Sequence, residues 1–260
     1  MATKREVTGV VRSKASAKQR PFLESARVKC NGTSNEEWST VQMSWSGESY
    51  VSDDSEPSGL LYETFGTLFN VDDNNGDKEL VGRFGLCYVD VGRAVNEGIS
   101  LLEVLDSFDH TMEYYDPIFG GNDPDFGDQL LKVLDHDISG SNLLILDRLE
   151  ILPKFRGKGL GLSIMREMMK RFSAGAAVVA IKPFPLQCEL EPHRDEAKKW
   201  RSEMGLSHLP QNERLATKKL CDYYSKLGFR RLKHKPFMVR STSWPLPVLQ
   251  TPIHRESDDD

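Results

Sequence analysis

Leu143-Leu144-Ile145-Leu146-Asp147-Arg148-Leu149-Glu150-Ile151, then Pro153, then Arg156-Gly157-Lys158-Gly159-Leu160-Gly161, then a helical pattern to Phe172 and Ala176-Ala177-Val178-Val179-Ala180-Ile181 decide the fold. The first run is aliphatic and of strand length. Residues 160–172 place Gly161, Met165, Met168 and Phe172 on one stripe at helical spacing. Residues 176–181 form a second apolar run of strand length that stops before Pro183. Strand, glycine loop, helix and strand in that order predict a βαβ unit with a right-handed crossover, and hence an α/β chain with a central sheet flanked by helices.

Downstream, residues 187–211 are polar and partly helix-prone. Asn212 is placed to cap a helix running to Leu227 with Gly228 at its end, and residues 237–241 offer a last strand. The tail, 245–260, begins with a group of prolines, ends acidic and is expected to be flexible. Upstream, residues 7–11, 26–30, 41–45 and 79–91 are β-prone, with loops at 52–59 and 72–77. Leu101, Leu105, Phe108 and Met112 predict one amphipathic helix over 99–115, ending before Pro117, and a shorter helix fits 127–134. The expected organisation is a β-rich region at 1–80, part of or packed on a domain at 81–244 that carries an insertion at 187–211.

Composition narrows the function. No run approaches the roughly 18 apolar residues needed to span a bilayer, and the N-terminus lacks a secretory apolar core, so a cytoplasmic chain with no membrane partner is expected. Cys30, Cys87, Cys188 and Cys221 form no C-x-x-C pair, the six histidines show no metal spacing, and no metal is expected. Residues 72–77 resemble a calcium loop, but aligning Gly76 with the loop glycine puts Val71 and Gly82 at ligand positions. The net charge of −5 conceals segregation. Residues 31–79 hold eleven acidic residues against Lys78, residues 97–137 eleven against Lys132, and residues 154–171 six basic residues against Glu167. Such patterning places an anionic ligand at the basic segment and favours a cationic one near the acidic stretches. The overall acidity counts against a nucleic-acid partner; the oligomeric state is left open.

Residues 156–161 lie where a strand feeds a helix, so unpaired N–H groups and the positive end of the helix dipole converge on them. Glycines let the backbone approach a phosphate closely, and Arg156 and Lys158 add charge. A Walker A loop is excluded because Lys158 is followed by Gly159, and a dinucleotide fingerprint because the last glycine of G-x-G-x-x-G is missing.

The hexapeptide does match R/Q-x-x-G-x-G/A, and Asp222-Tyr223-Tyr224-Ser225-Lys226-Leu227-Gly228-Phe229 resembles the Y-x-K-x-G-F stretch of the same family, the general N-acetyltransferase (GNAT) superfamily. The resemblance covers residues 142–240. It implies a mixed sheet whose central parallel strands splay to admit acetyl-CoA as co-substrate. The strand backbone near Leu149, Glu150 and Ile151 would pair with the pantetheine arm, and the N–H groups of Arg156, Gly157, Lys158, Gly159, Leu160 and Gly161 would hold the pyrophosphate. Tyr224 occupies the family's tyrosine position and is the candidate acid. A helical stripe of Ala216, Leu220, Tyr223 and Leu227 puts Tyr223 in the core and Tyr224 on its edge.

The candidate bases are Asp147 and Glu150, which strand alternation assigns to opposite faces, with Asp147 preferred; a water chain is the alternative. The basic cluster Arg230, Arg231, Lys233 and Lys235 is placed either against an adenosine 3′-phosphate or in solvent. The function implied is acetyl transfer to a primary amine of a small molecule or protein. The alternative is a non-catalytic acyl-CoA sensor or partner-binding module. The insertion, with Trp200, is expected to wall the acceptor pocket.

Overall fold

The computed structural model describes the backbone of residues 24–28 and residues 40–47, 56–72 and 74–249. The strand expected at 7–11, the basic opening, Cys30 and the tail beyond 249 lie outside the described residues. Eight strands form one mixed sheet: β1 Glu24–Val28, β2 Thr40–Gly47, β3 Leu61–Val71, β4 Lys78–Val89, β5 Asn142–Ile151, β6 Ala176–Ile181, β7 Arg230–Arg231 and β8 Met238–Ser241. Their order across the sheet is β1-β2-β3-β4-β5-β6-β8-β7. Every pairing is antiparallel except β5 with β6, which is parallel. The β-rich region before residue 81 therefore continues the same sheet.

Helices cover both faces: α1 Val91–Glu97, α2 Leu101–Asp106, α3 Asp109–Met112, α4 Tyr115–Phe119, α5 Asp128–Val133, α6 Leu160–Phe172, α7 Asp195–Glu203 and α8 Glu213–Ser225. On one face Met165, Met168 and Met169 of α6 and Cys221 of α8 pack against Leu68, Phe84, Leu144 and Val179. On the other, Leu101, Leu105, Ile118 and Leu130 pack against Val89, Leu143, Ile145 and Val178. β5 and β6 feed both cores by alternation, which is why they read as continuous apolar runs.

The βαβ unit has the bounds the apolar runs predict. Asn212 caps α8 by accepting from the Leu215 N–H at 3.0 Å, and Gly228 takes the left-handed φ of +85°. The single helix expected over 99–115 is instead broken into α2 and α3, with α4 following. Phe108 is extended (φ −138°, ψ 135°), and the Thr111 hydroxyl donates to Leu105 O at 2.6 Å and Phe108 O at 2.9 Å, satisfying carbonyls the helix leaves behind. Pro117 lies inside the first turn of α4, where its missing N–H costs no helical bond. The chain at 245–249 is fastened rather than loose. The buried Arg240 guanidinium donates to Leu227 O, Ser241 O, Trp244 O and Pro245 O at 2.6–2.9 Å, and Leu246 and Leu249 pack on the α6-side core.

Candidate functional site

β5 is ten residues long, but its parallel ladder with β6 ends at Ile145↔Ala180. From Leu146 to Ile151 it bonds along β4 and, among the described residues, has no strand on its other side. A gap between parallel strands therefore opens where β6 gives way to Pro183. Leu149 and Ile151 line the α6 side of this segment, half-buried against the core.

The gap leads to the glycine loop. Gly157 and Gly159 adopt φ of +81° and +76°, a region costly for residues with a β-carbon, and so turn the chain into α6 without a side-chain cap. Among the described residues, the N–H groups of Gly157, Gly159, Leu160 and Gly161 donate to no acceptor, consistent with an exposed helix start that can take an anion. Arg156 is engaged otherwise. Its N–H donates to Pro153 O at 3.2 Å, and its guanidinium reaches Ile151 O at 2.7 Å and Met204 O at 2.7 Å. It braces the loop against the insertion and occupies the Ile151 carbonyl, so neither its N–H nor that carbonyl is open to a ligand. Burial lowers the Arg156 pKa from its ordinary value.

The two tyrosines of α8 meet this loop differently from the helical-stripe expectation. Tyr223 is half-buried and its hydroxyl reaches the first turn of α6. A β-carbon at Gly161 would stand 2.7 Å from that oxygen and 3.3 Å from Ile151 Cδ1. Burial raises the Tyr223 pKa, opposed by a hydrogen bond from the Leu162 backbone. Tyr224 packs on the same core with its ring edge-on to Tyr223 at 5.7 Å, and burial pushes its hydroxyl up to about 12. Tyr223 is thus a second phenol at the loop; its four-residue spacing from Leu227 favoured a core role and hid that reach.

Asp147 and Glu150 do not face opposite sides. Gly85 pairs with Arg148 and Cys87 with Ile145, so Leu146 and Asp147 together oppose Leu86 in a β-bulge. Leu146 and Leu149, three apart, consequently both meet the α6-side core, while Asp147 and Glu150 both line one cleft. This cleft has a volume of about 400 Å³, with walls that include Phe65, Thr67, Arg83, Gly85, Asp147 and Glu150. Its floor is Gly85, where a β-carbon would lie 3.5 Å from the Phe65 ring and 3.8 Å from Asp147 Oδ2.

Glu150 is buried at 8% exposure and both its oxygens are taken. Oε1 accepts from Arg148 at 2.8 Å and Oε2 from Trp200 Nε1 at 2.6 Å. Trp200 also carries the Arg83 guanidinium over its ring at 3.9 Å. Arg148 is further paired with Glu189, and Arg201 donates to the carbonyls of Leu186, Gln187 and Glu189. The insertion is therefore fixed to the end of β5 behind Glu150 and Arg148, but none of its residues lines the cleft, so the wall expected of Trp200 is supplied instead by β2, β3 and β4. Asp147, by contrast, is exposed and makes no hydrogen bond or ion pair among the described residues.

Of the basic cluster, Arg230 is turned away from α6: it pairs with Asp135 at 2.6 Å, donates to Val133 O and stacks on Trp244 at 4.2 Å. Among the described residues no group of three or more His, Cys, Asp or Glu side chains could hold a metal, and no helix is long and apolar enough to cross a membrane. Comparison with known proteins gives no matching family model, no matching curated protein and no matching solved structure.

Proposed function

We propose that the chain is an acetyl-CoA-dependent N-acetyltransferase that moves the acetyl group directly to a primary amine. One observation carries this reading: parallel strands that part after four paired residues, with the uncapped, glycine-turned start of α6 at the mouth of the gap. The pyrophosphate would sit on the N–H groups of Gly157, Lys158, Gly159, Leu160 and Gly161. The pantetheine arm would run along the unpaired edge of β5 at Leu149, bringing the thioester to the bulge beside Asp147.

There the amine nitrogen forms a bond to the acetyl carbon and the carbon–sulfur bond breaks. The proton lost by the amine goes to the Asp147 carboxylate or to water, and the departing thiolate takes one from a phenol of α8. Tyr224, held up to about 12, stays protonated at neutral pH and suits that donor role; Tyr223 is the second candidate. Glu150 acts as the brace that seats Trp200, not as the base.

Purified protein tested for acetyl-CoA binding and for thiol release across a panel of primary amines decides the matter. Binding with amine-dependent release supports transfer; binding without release on any amine supports a sensor; no binding removes both.

A further inference from the structure

The acidic segments suggest a cationic acceptor, yet residues 97–137 do not line the cleft. Four charged residues do line it, Arg83, Asp147, Arg148 and Glu150, and among the described residues one of each sign has no oppositely charged partner. Both Glu150 oxygens are taken, one by Arg148 and one by the Trp200 N–H. That leaves Asp147, with no partner among the described residues, and Arg83, which has no acidic partner among them and sits over the Trp200 ring at 3.9 Å. The ring holds one side of an exposed guanidinium, a group whose planar fork can receive a carboxylate in a two-pronged hydrogen bond.

Position orders the two charges. Asp147 lies just past Ile145, the last β5 residue paired to β6, so it stands where the gap opens. Arg83 is one strand farther from the gap, paired opposite Glu150, and is two residues along β4 from Gly85, where an added β-carbon would lie 3.8 Å from Asp147 Oδ2. Two strand residues span roughly 7 Å. Phe65, 57% exposed and paired opposite Gly85 on β3, supplies an apolar wall beside them on which methylenes can lie.

We infer that the acceptor is a zwitterion: a primary amine that approaches the gap at Asp147 and carries a carboxylate, several bonds away, that docks on Arg83. A straight-chain ω-amino acid has this form. A polyamine does not, because its second cation would face Arg83. The inference rests on the proposed acetyl-transfer reading and specifies the acceptor of that same site.

The test uses the full chain, acetyl-CoA and matched pairs of straight-chain ω-amino acids and their carboxamides, with thiol release as readout. Expected is a preference in kcat/KM for the carboxylate of about three- to tenfold, the size of a charge-assisted pair at an exposed guanidinium. The preference collapses toward one in Arg83→Gln and inverts toward diamines in Arg83→Glu, with the melting temperature of each variant checking the fold. Equal rates on both members of the pairs, or a preference untouched by both substitutions, overturns the inference. Acetyl-CoA binding is measured alongside by calorimetry. If it is present while neither pair member reacts, the acceptor assignment fails alone; if it is absent, the acetyl-transfer reading fails first.

Discussion

Replacing Glu150 separates a structural carboxylate from a catalytic one, and the geometry sets the size of the effect. In Glu150→Ala the Trp200 N–H, bonded at 2.6 Å in the wild type, loses its acceptor in a buried place, at a cost of about 1–3 kcal/mol. Arg148 loses its 2.8 Å partner, but its side chain is 41% exposed and keeps Glu189, so that contribution is under about 1 kcal/mol. The total, about 1–4 kcal/mol, corresponds to a fall in melting temperature of roughly 2–16 °C for a chain of this size. Glu150→Gln retains an acceptor for the indole and loses about 1 kcal/mol.

Urea denaturation measures the stabilities, and steady-state thiol release measures turnover on the same preparations. Glu150→Gln is expected to keep kcat within about threefold of wild type because it keeps Trp200 in place. A Glu150→Gln protein within about 1 kcal/mol of wild-type stability that has lost a hundredfold or more in kcat refutes the structural assignment and makes Glu150 a reacting group.

Other outcomes follow from the same geometry. Asp147→Asn is expected to lower kcat at least about tenfold with acetyl-CoA affinity unchanged, read by kinetics and calorimetry together. Gly159→Ala places a β-carbon on a residue at φ +76° and is expected to cost about 1–2 kcal/mol of stability and to weaken acetyl-CoA binding, measured by denaturation and titration. Because burial raises the Tyr224 pKa above that of the unfolded chain, its contribution to stability is intact below about pH 10 and is lost as pH climbs through about 12. Tyr224→Phe should therefore flatten that stretch of the stability-versus-pH curve relative to wild type.

How much of this was legible in the sequence depended on whether the signal was local. The strand–loop–helix–strand run at 142–181 was readable because apolar period, glycines and Pro183 all agree along one short stretch. The Asn212 cap and Gly228 were readable for the same reason. β3 went unseen since Tyr62, Glu63 and Thr64 give it mixed polarity on a partly exposed sheet face, and only pairing with β2 and β4 defines it. The break at Phe108 escaped a 3.6-residue stripe because Thr111 back-bonds to Leu105 O, a contact that periodicity does not register. α1 was hidden by Val89 and Val91, which read as strand until Asp90 accepts from the Arg93 N–H and starts a helix.

Within the site, the loop was found from its spacing, but three features depend on tertiary partners. The bulge that turns Asp147 and Glu150 to one side is visible only against Leu86 on β4. The commitment of Arg156 to Ile151 O and Met204 O needs the insertion folded back. The pairing of Arg83 with Trp200 joins residues more than a hundred positions apart.

Titration of acetyl-CoA and of acetyl-pantetheine, which lacks the pyrophosphate, into the full chain by calorimetry tests the acyl-CoA site most directly. Saturable one-site binding of acetyl-CoA, with acetyl-pantetheine weaker by at least about tenfold, is the predicted result, since the pyrophosphate is what the N–H groups of Gly157, Gly159, Leu160 and Gly161 would hold. Equal affinity for the two, or no saturable binding of acetyl-CoA, contradicts it.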